Sequence, residues 1–257
     1  ELLPGFDPEL AAVALATLAE EGVHLEPHAA VSAVQARSMG IGVAIRTGES
    51  DRLLDASHIL VAGGRAPNVA ALDLDKAGIR LDAGRAGALQ LNGALRTTNA
   101  RVYAVGDVTG GESVPSAARA AEAVVRSALL GAMARPDRTV PRLVSTDPAI
   151  AEIGLNEVTA RTRHGVGFRV THGLAKLLTD RRGSIIGAGV VGPGASELVA
   201  LFALAMSGGL KGADLAAMSV PYPSFAEIAV RLGAELRRGD APGPLLRAWM
   251  AVNRLLG

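Results

Sequence analysis

The chain has 257 residues, a formal net charge of +1, 49% hydrophobic and 20% charged residues, and no cysteine. That is the composition of a core-forming protein with one large or two ordinary domains, and it excludes an extensively disordered chain, structural disulfides and thiolate metal sites within these residues. Charges of both signs are interspersed and aromatics make up only 3%, so neither a basic footprint nor a stacking platform for nucleic acid is present.

The opening Glu1-Leu2-Leu3-Pro4 has neither the basic region nor the long apolar run of a signal peptide and reads like the middle of a longer chain. The lack of cysteine agrees with a reduced, cytoplasmic setting. Residues 8–22 predict an amphipathic helix capped by Asp7, with Pro8 at its first position and Gly22 at its end. Short strands are expected at Val23–Glu26, Ala30–Ala36 and Gly42–Arg46. Ser57–Ala62 (SHILVA) is an apolar run of the kind found in a strand buried on both faces, ending at Gly63-Gly64-Arg65. After a polar connection from Leu72 to Asn92, a further strand is predicted at Arg101–Val105. An Ala-rich helix follows at Pro115–Leu130, then a boundary in the Pro-Asp-Arg segment around Arg135–Val140. The last part predicts strands at Ala149–Ile153, Ala175–Thr179 and Ser184–Val191, with a hairpin turn at Asp180–Gly183. Helices are predicted at Ser196–Ser207, at Ser224 to about Arg237, and at Pro244–Leu256, whose amphipathic face suits packing on its own domain or on a membrane surface. Strand runs followed by segregated helices suggest an α+β module after an α/β portion.

Two features in the last part invite over-reading. Ser184 to Leu210 carries one charge, Glu197, and is long enough to raise a membrane span, but five Gly and Pro residues between 187 and 194 break its first half as a helix. Within it, Gly187-Ala188-Gly189-Val190-Val191-Gly192 matches G-x-G-x-x-G by letter. The preceding strand is short, a charged hairpin turn lies directly before it, and no strand ending in Asp or Glu follows about twenty residues on, where the ribose-binding acid belongs. The expectation is a Gly-rich strand packed closely against a helix. The histidines at 24, 28, 58, 164 and 172 show no metal-ligand spacing.

Two constellations carry candidate chemistry. In Arg101-Val102-Tyr103-Ala104-Val105-Gly106-Asp107, Gly106 would let backbone approach a ligand and Asp107 would present a carboxylate suited to sugar or ribityl hydroxyls; Asp107 capping a turn is the equal alternative. In Ile59-Leu60-Val61-Ala62-Gly63-Gly64-Arg65-Ala66-Pro67-Asn68, two glycines and an Arg could admit a phosphate-bearing cofactor or form a plain turn.

The string VAGGRAPN, then Leu95-Arg96-Thr97-Thr98, then VYAVGDV, in this order and spacing, resembles the pyridine nucleotide-disulfide oxidoreductases, the family of lipoamide dehydrogenase, glutathione reductase and mercuric reductase. LLPGFDPELAAVALATLAEEGV resembles that family's segment after its NAD fingerprint. STDPAIAEIGLNEVTA and the run from Ile185 to Glu227 resemble its dimerisation domain. The resemblance implies the carboxyl-terminal part of a nucleotide-binding domain at 1–66, the last segment of an FAD-binding domain at 67–138, and a dimerisation domain with a terminal helix at 139–257. It implies FAD and NAD(P)H as cofactors, a small-molecule electron acceptor, and a homodimer formed from about Pro141 onward. Asp107 would bind the ribityl chain with Gly106 allowing the approach. Val114, Pro115 and Ser116 would line the flavin ring, and Gly63, Gly64 and Arg65 would lie near the nicotinamide nucleotide.

Departures from the family pattern are equally specific. Where the family has a proton-handling His–Glu pair, this chain has Tyr222, in Tyr222-Pro223-Ser224, and Glu227. A phenol, ionising at about pH 10, is a poor proton shuttle at neutrality, and a buried ring with a satisfied hydroxyl is the plain structural reading. A family segment expected between Val170 and Thr171 is either a deleted loop or missing from this sequence. The redox cysteines and both dinucleotide fingerprints would lie upstream of Glu1, so the chain reads as a fragment expected to bind FAD poorly and to be inactive alone. A non-catalytic dimerisation module without flavin is the competing expectation.

Overall fold

Local chemistry sets the first helix. In the computed structural model, which describes residues 2–110, 114–131, 140–165, 167–171 and 173–238, α1 spans Pro8–Glu20. The Asp7 side chain accepts from the Glu9 N–H at 3.1 Å, Pro8 occupies the first position, and Gly22 takes φ +90°. Next come β1 (Ala30–Ala36), β2 (Ile41–Thr47) and β3 (Ser50–Ala56), then α2 (Val114–Leu130). They are followed by β4 (Arg142–Val144), β5 (Ile150–Gly154), α3 (Glu157–His164), β6 (Phe168–Val170), β7 (Ala175–Asp180), β8 (Ile185–Val191), α4 (Ala195–Ser207) and α5 (Glu227–Arg238). Every pairing between named strands is antiparallel among the described residues, and the arrangement is α+β.

The chain divides into two compact units, residues 24–140 and residues 3–23 with 141 onward. In the first, β1, β2 and β3 form a meander in that order. Arg46 and Asp51 pair across β2 and β3 at 2.7 Å, and the guanidinium hydrogen bond holds the Asp51 carboxyl below its usual range. A small core of Val69, Ile79, Leu89 and Ala104 gathers the connection after residue 66. Three expectations fail here. Val23–Glu26 is not a strand; Arg101–Val105 holds one isolated bridge, Tyr103 to Arg96; and Ser57–Ala62 is neither strand nor buried, with Leu60 86% and Val61 84% exposed. A strand buried on both faces needs a neighbour to pair each backbone edge, and none of the described residues supplies one to this run. β3, by contrast, is a strand that its polar composition concealed.

In the second unit the sheet order is β4-β5-β8-β7-β6, with β8 central. Strand alternation sends Ala151, Ile153, Leu177, Ala188 and Val190 to one face, where α4 and α5 cover them with Phe202, Val199 and Leu236. The opposite face carries Ile150 and Val191, over which α1 lays Leu10 and Ala14. Two glycines of the G-x-G-x-x-G string lie within β8 and are packing devices: a Cβ at Gly187 would stand 1.8 Å from the Leu155 carbonyl oxygen, and one at Gly189 2.6 Å from Leu10 Cδ1; Gly192 follows the strand at φ +141°. The low-charge stretch from Ser184 is split between β8 and α4, and no helix among the described residues is long and apolar enough to cross a membrane. At the missing family segment the chain closes directly: β6 pairs with β7, Leu177 N–H donates to Thr171 Oγ1 at 2.9 Å, and Thr171 N–H donates to Leu177 O. His172, most of the 135–140 boundary and the helix expected at Pro244–Leu256 lie outside the described residues.

Candidate functional site

In the first unit, Val105 is extended and the chain turns at Gly106, φ +79°, into a single 3-10 turn, Gly106–Thr109, closed by Thr109 Oγ1 on the Gly106 carbonyl at 2.8 Å. A side chain at 106 would be strained in that conformation, so glycine is required for Asp107 to stand where it does. The Asp107 carboxylate is 58% exposed. It is met by Arg65, whose Nη2 lies 3.2 Å from Oδ2 and 3.4 Å from Oδ1. An exposed pair of this kind contributes about 0–1 kcal/mol, so it leaves the carboxylate available to a ligand. Arg65, Pro67, Asn68, Arg85 and Asp107 line a cavity of about 450 Å³. That volume lies in the ordinary range for a small-molecule site, about 300–1,000 Å³.

The other predicted residues of this unit are placed as follows. Gly63 and Gly64 lie in exposed irregular chain, Gly64 at φ +116°, and a Cβ on either would meet nothing within 4 Å, so no packing constraint explains them. Val114, Pro115 and Ser116 open α2, Val114 being 85% exposed, and Gly106 faces Ala117 one turn on. Arg85, which donates to the Thr109 carbonyl at 3.4 Å, was not singled out from sequence. Its only signal there was an arginine between two glycines.

In the second unit Tyr222 is 86% exposed, which corrects the buried-ring reading: the turn Pro221-Tyr222-Pro223 projects the side chain away from the core. Glu227 opens α5, accepting from Ser224 N–H at 3.4 Å and facing Arg231 at 3.6 Å, so the structure does not join it to Tyr222 by a hydrogen bond.

The second unit also holds a charged cluster that sequence reasoning passed over. Lys176, only 2% exposed, sits on the α1 face of β7. Its Nζ meets Glu9 Oε2 at 2.7 Å, Asp7 Oδ1 at 2.9 Å and Glu157 Oε2 at 3.2 Å. Burial alone would lower the ammonium pKa, but the hydrogen bonds it donates to Asp7 and Glu9, the Asp7 charge and the hydrogen bond it donates to Glu157 outweigh it and hold it above the usual lysine range. Across Gly189, which pairs with both residues, the buried Glu152 accepts from Asp7 N–H at 2.5 Å and from Arg142 at 2.9 Å. Here burial prevails and raises the carboxyl pKa, with the Asp7 N–H and Arg142 opposing it. One signal was present in the sequence: a single lysine inside the otherwise apolar strand AKLL.

Comparison with known proteins agrees with these motifs. Residues 1–123 match the pyridine nucleotide-disulphide oxidoreductase family and residues 162–232 match the dimerisation domain of that family. Among curated relatives, a dihydrolipoyl dehydrogenase of Geobacillus stearothermophilus is 28% identical over 93% of this chain and 54% of its own length. A mercuric reductase of Staphylococcus aureus is 31% identical over 88% of the chain and 44% of its own. The solved structure of LpdA from Mycobacterium tuberculosis superposes with a TM-score of 0.80 at 29% identity, covering 92% of this chain and 54% of that one. A HOCl-induced flavoprotein disulfide reductase, RclA from Escherichia coli, shares the fold with a TM-score of 0.75 at 24% identity, over 91% of this chain and 57% of that one. The chain thus spans about half the length of the relatives it matches.

Proposed function

The chain belongs to the pyridine nucleotide-disulphide oxidoreductase family, and from that premise we propose that the whole protein is an FAD-dependent oxidoreductase taking hydride from NAD(P)H and passing electrons to a small-molecule acceptor, with this chain contributing part of the flavin site. The observation that carries this reading is the Asp107 carboxylate, more than half exposed, held at a cavity edge by a glycine turn and, among the described residues, engaged only by an exposed arginine. Such a group fits a polyol: each oxygen can accept from a hydroxyl, and Gly106 leaves the backbone bare where the chain of hydroxyls would pass. Val114, Pro115 and Ser116 would flank the flavin ring at the start of α2, where a helix end favours electron density. Gly63, Gly64 and Arg65 would face the nicotinamide nucleotide. Bound FAD would supply the hydride-accepting ring, the protein its position and electrostatics. Tyr222 and Glu227, at the exposed entry to α5, are the groups we assign to the acceptor side. The second unit would pair two copies of the chain, presenting exposed apolar side chains such as Leu204, Tyr222 and Phe225.

A second reading, a pairing module without flavin, is favoured by one observation: the second unit has a closed core of its own. The test is direct. FAD titrated into the full chain should show saturable quenching of flavin fluorescence, weakened at least tenfold, about 1.4 kcal/mol, by Asp107→Ala. A colourless dimer that binds no FAD, or an Asp107→Ala protein of unchanged affinity, would leave the pairing module standing.

A further inference from the structure

At the tip of the β7–β8 hairpin, Arg181 and Arg182 stand beside Lys211, which precedes the 3-10 turn Gly212–Ala217. The three cationic side chains line a cavity of about 180 Å³ together with Thr179, Gly183, Ala213 and Leu236. No acidic residue among the described ones lines it. The carboxylates of the hairpin turn and of the 3-10 turn are spent on backbone: Asp180 Oδ1 accepts from the N–H groups of Arg182 and Ser184 at 2.8 and 2.9 Å, and Asp214 Oδ2 accepts from the Lys211 N–H at 2.9 Å. Among the described residues none of the three cations has an ion-pair partner. Their placement is nonetheless specific. Gly167 leaves the space that Arg181 fills, since a Cβ there would stand 2.8 Å from Arg181 Nε, and the Lys211 stem lies along Gly183 at 3.8–4.0 Å from where a Cβ would be. Arg237 adds a fourth cation close by, donating to the Ala213 carbonyl at 2.9 Å.

We propose that this cavity is a binding site for a phosphate group, formed by Arg181, Arg182 and Lys211. The chemistry favours phosphate over a simple halide: two guanidinium forks and a point ammonium match the several oxygens of a dianion, and arginine is the side chain best suited to bidentate phosphate recognition. The volume, below the roughly 300 Å³ where small-molecule pockets begin, fits a phosphoryl group and its waters and leaves the remainder of any larger ligand outside. The floor is formed by the buried Thr179 and Leu236, so an anion there is set into the protein surface instead of lying on a flat charged patch. The source of the phosphate is either a free small phosphate or the headgroup of an anionic lipid, and the two share this chemistry.

The test uses the full chain at constant ionic strength. Inorganic phosphate titrated calorimetrically should bind saturably, with affinity reduced at least tenfold in Arg181→Gln/Arg182→Gln and in Lys211→Gln. An Arg52→Gln control on β3 should be unaltered. Arg181→Lys/Arg182→Lys, which keeps the charge but removes the forks, should retain part of the affinity and guards against a Gln variant that fails to fold. Sedimentation with phosphatidylcholine vesicles containing phosphatidic acid, with the same variant dependence and displacement by free phosphate, would assign the headgroup as the source; phosphate binding without vesicle binding would assign a free phosphate. Absence of saturable binding, equal binding by every variant, or displacement by chloride at matched ionic strength would overturn the site.

Discussion

The two units of the chain solve burial in opposite ways. In the second, both faces of the sheet between β5 and β8 are covered, one by α4 and α5 and the other by α1, and even the charges are internal: Lys176 and Glu152 are each less than 5% exposed. In the first, the hydrophobic cluster among the described residues has four buried members, Val69, Ile79, Leu89 and Ala104, while Val31, Val34, Leu54, Leu60 and Val61 stand exposed. The difference teaches that apolar patterning states a demand for burial without naming what meets it. In the second unit the described residues supply those neighbours; in the first, several apolar side chains find none among them.

The sharpest test of this contrast is the buried lysine. Lys176→Met keeps the stem but removes the ammonium on which Asp7, Glu9 and Glu157 converge. Removing one partner of a buried ionic group costs about 3–5 kcal/mol, and we expect the unfolding transition of the second unit to fall by that amount in denaturant titration. Because the folded pKa of Lys176 is raised, its contribution is complete below the usual lysine range and is lost only as pH rises above it, so the loss should be the same from pH 5 to 9. A loss below about 1 kcal/mol would place the cluster among ordinary surface pairs and erase the contrast.

Glycine substitutions sharpen the comparison at intermediate cost. Gly187→Ala drives a methyl into the Leu155 carbonyl, and overpacking of this kind costs about 1–3 kcal/mol or more. Gly63→Ala meets open space and should stay within about 0.5 kcal/mol of the parent. Thermal unfolding of the two variants side by side reads the difference. Equal effects would mean that the string from Gly187 to Gly192 is not held by packing and would reopen its rejected ligand-binding role.

How far these features were legible in the sequence follows the range of the interactions involved. The α1 helix was legible because its cap, its first-position proline and its terminal glycine are all local. The hairpin at Asp180–Gly183 and the helix after it were legible for the same reason. The turn at Gly106-Asp107 was placed correctly, but the strand before it was overcalled, since one bridge to Arg96 holds it. Ser57–Ala62 was misread because a strand is a relation between segments, and composition records only one side of it. The partners of Lys176 were out of reach: Asp7 lies 169 residues away, and no local pattern joins them. Arg65 and Asp107, 42 residues apart, were each singled out, but not as a pair.

The smallest effect isolates the other buried charge. Lys176 and Glu152 flank Gly189 on one sheet face, and both pKa values are raised, with opposite meaning. Three carboxylates make the charged lysine the favoured form, whereas burial makes the charged Glu152 the disfavoured one, only partly relieved by the Asp7 N–H and Arg142. A carboxyl whose folded pKa exceeds its unfolded value of about 4.3 binds its proton more tightly in the native state. Its contribution to stability is therefore complete below that value and is lost as pH rises through the raised folded pKa. Glu152→Gln, which cannot titrate, removes this dependence. The stability of the parent relative to Glu152→Gln should accordingly improve as pH falls from neutrality toward about 4.3, measured as the difference between their denaturant midpoints at each pH. The difference cancels the contributions of Glu197 and the other acids. If the parent instead loses ground to Glu152→Gln on acidification, the fold favours the charged carboxylate, and the Asp7 N–H and Arg142 have overcome the cost of burying it.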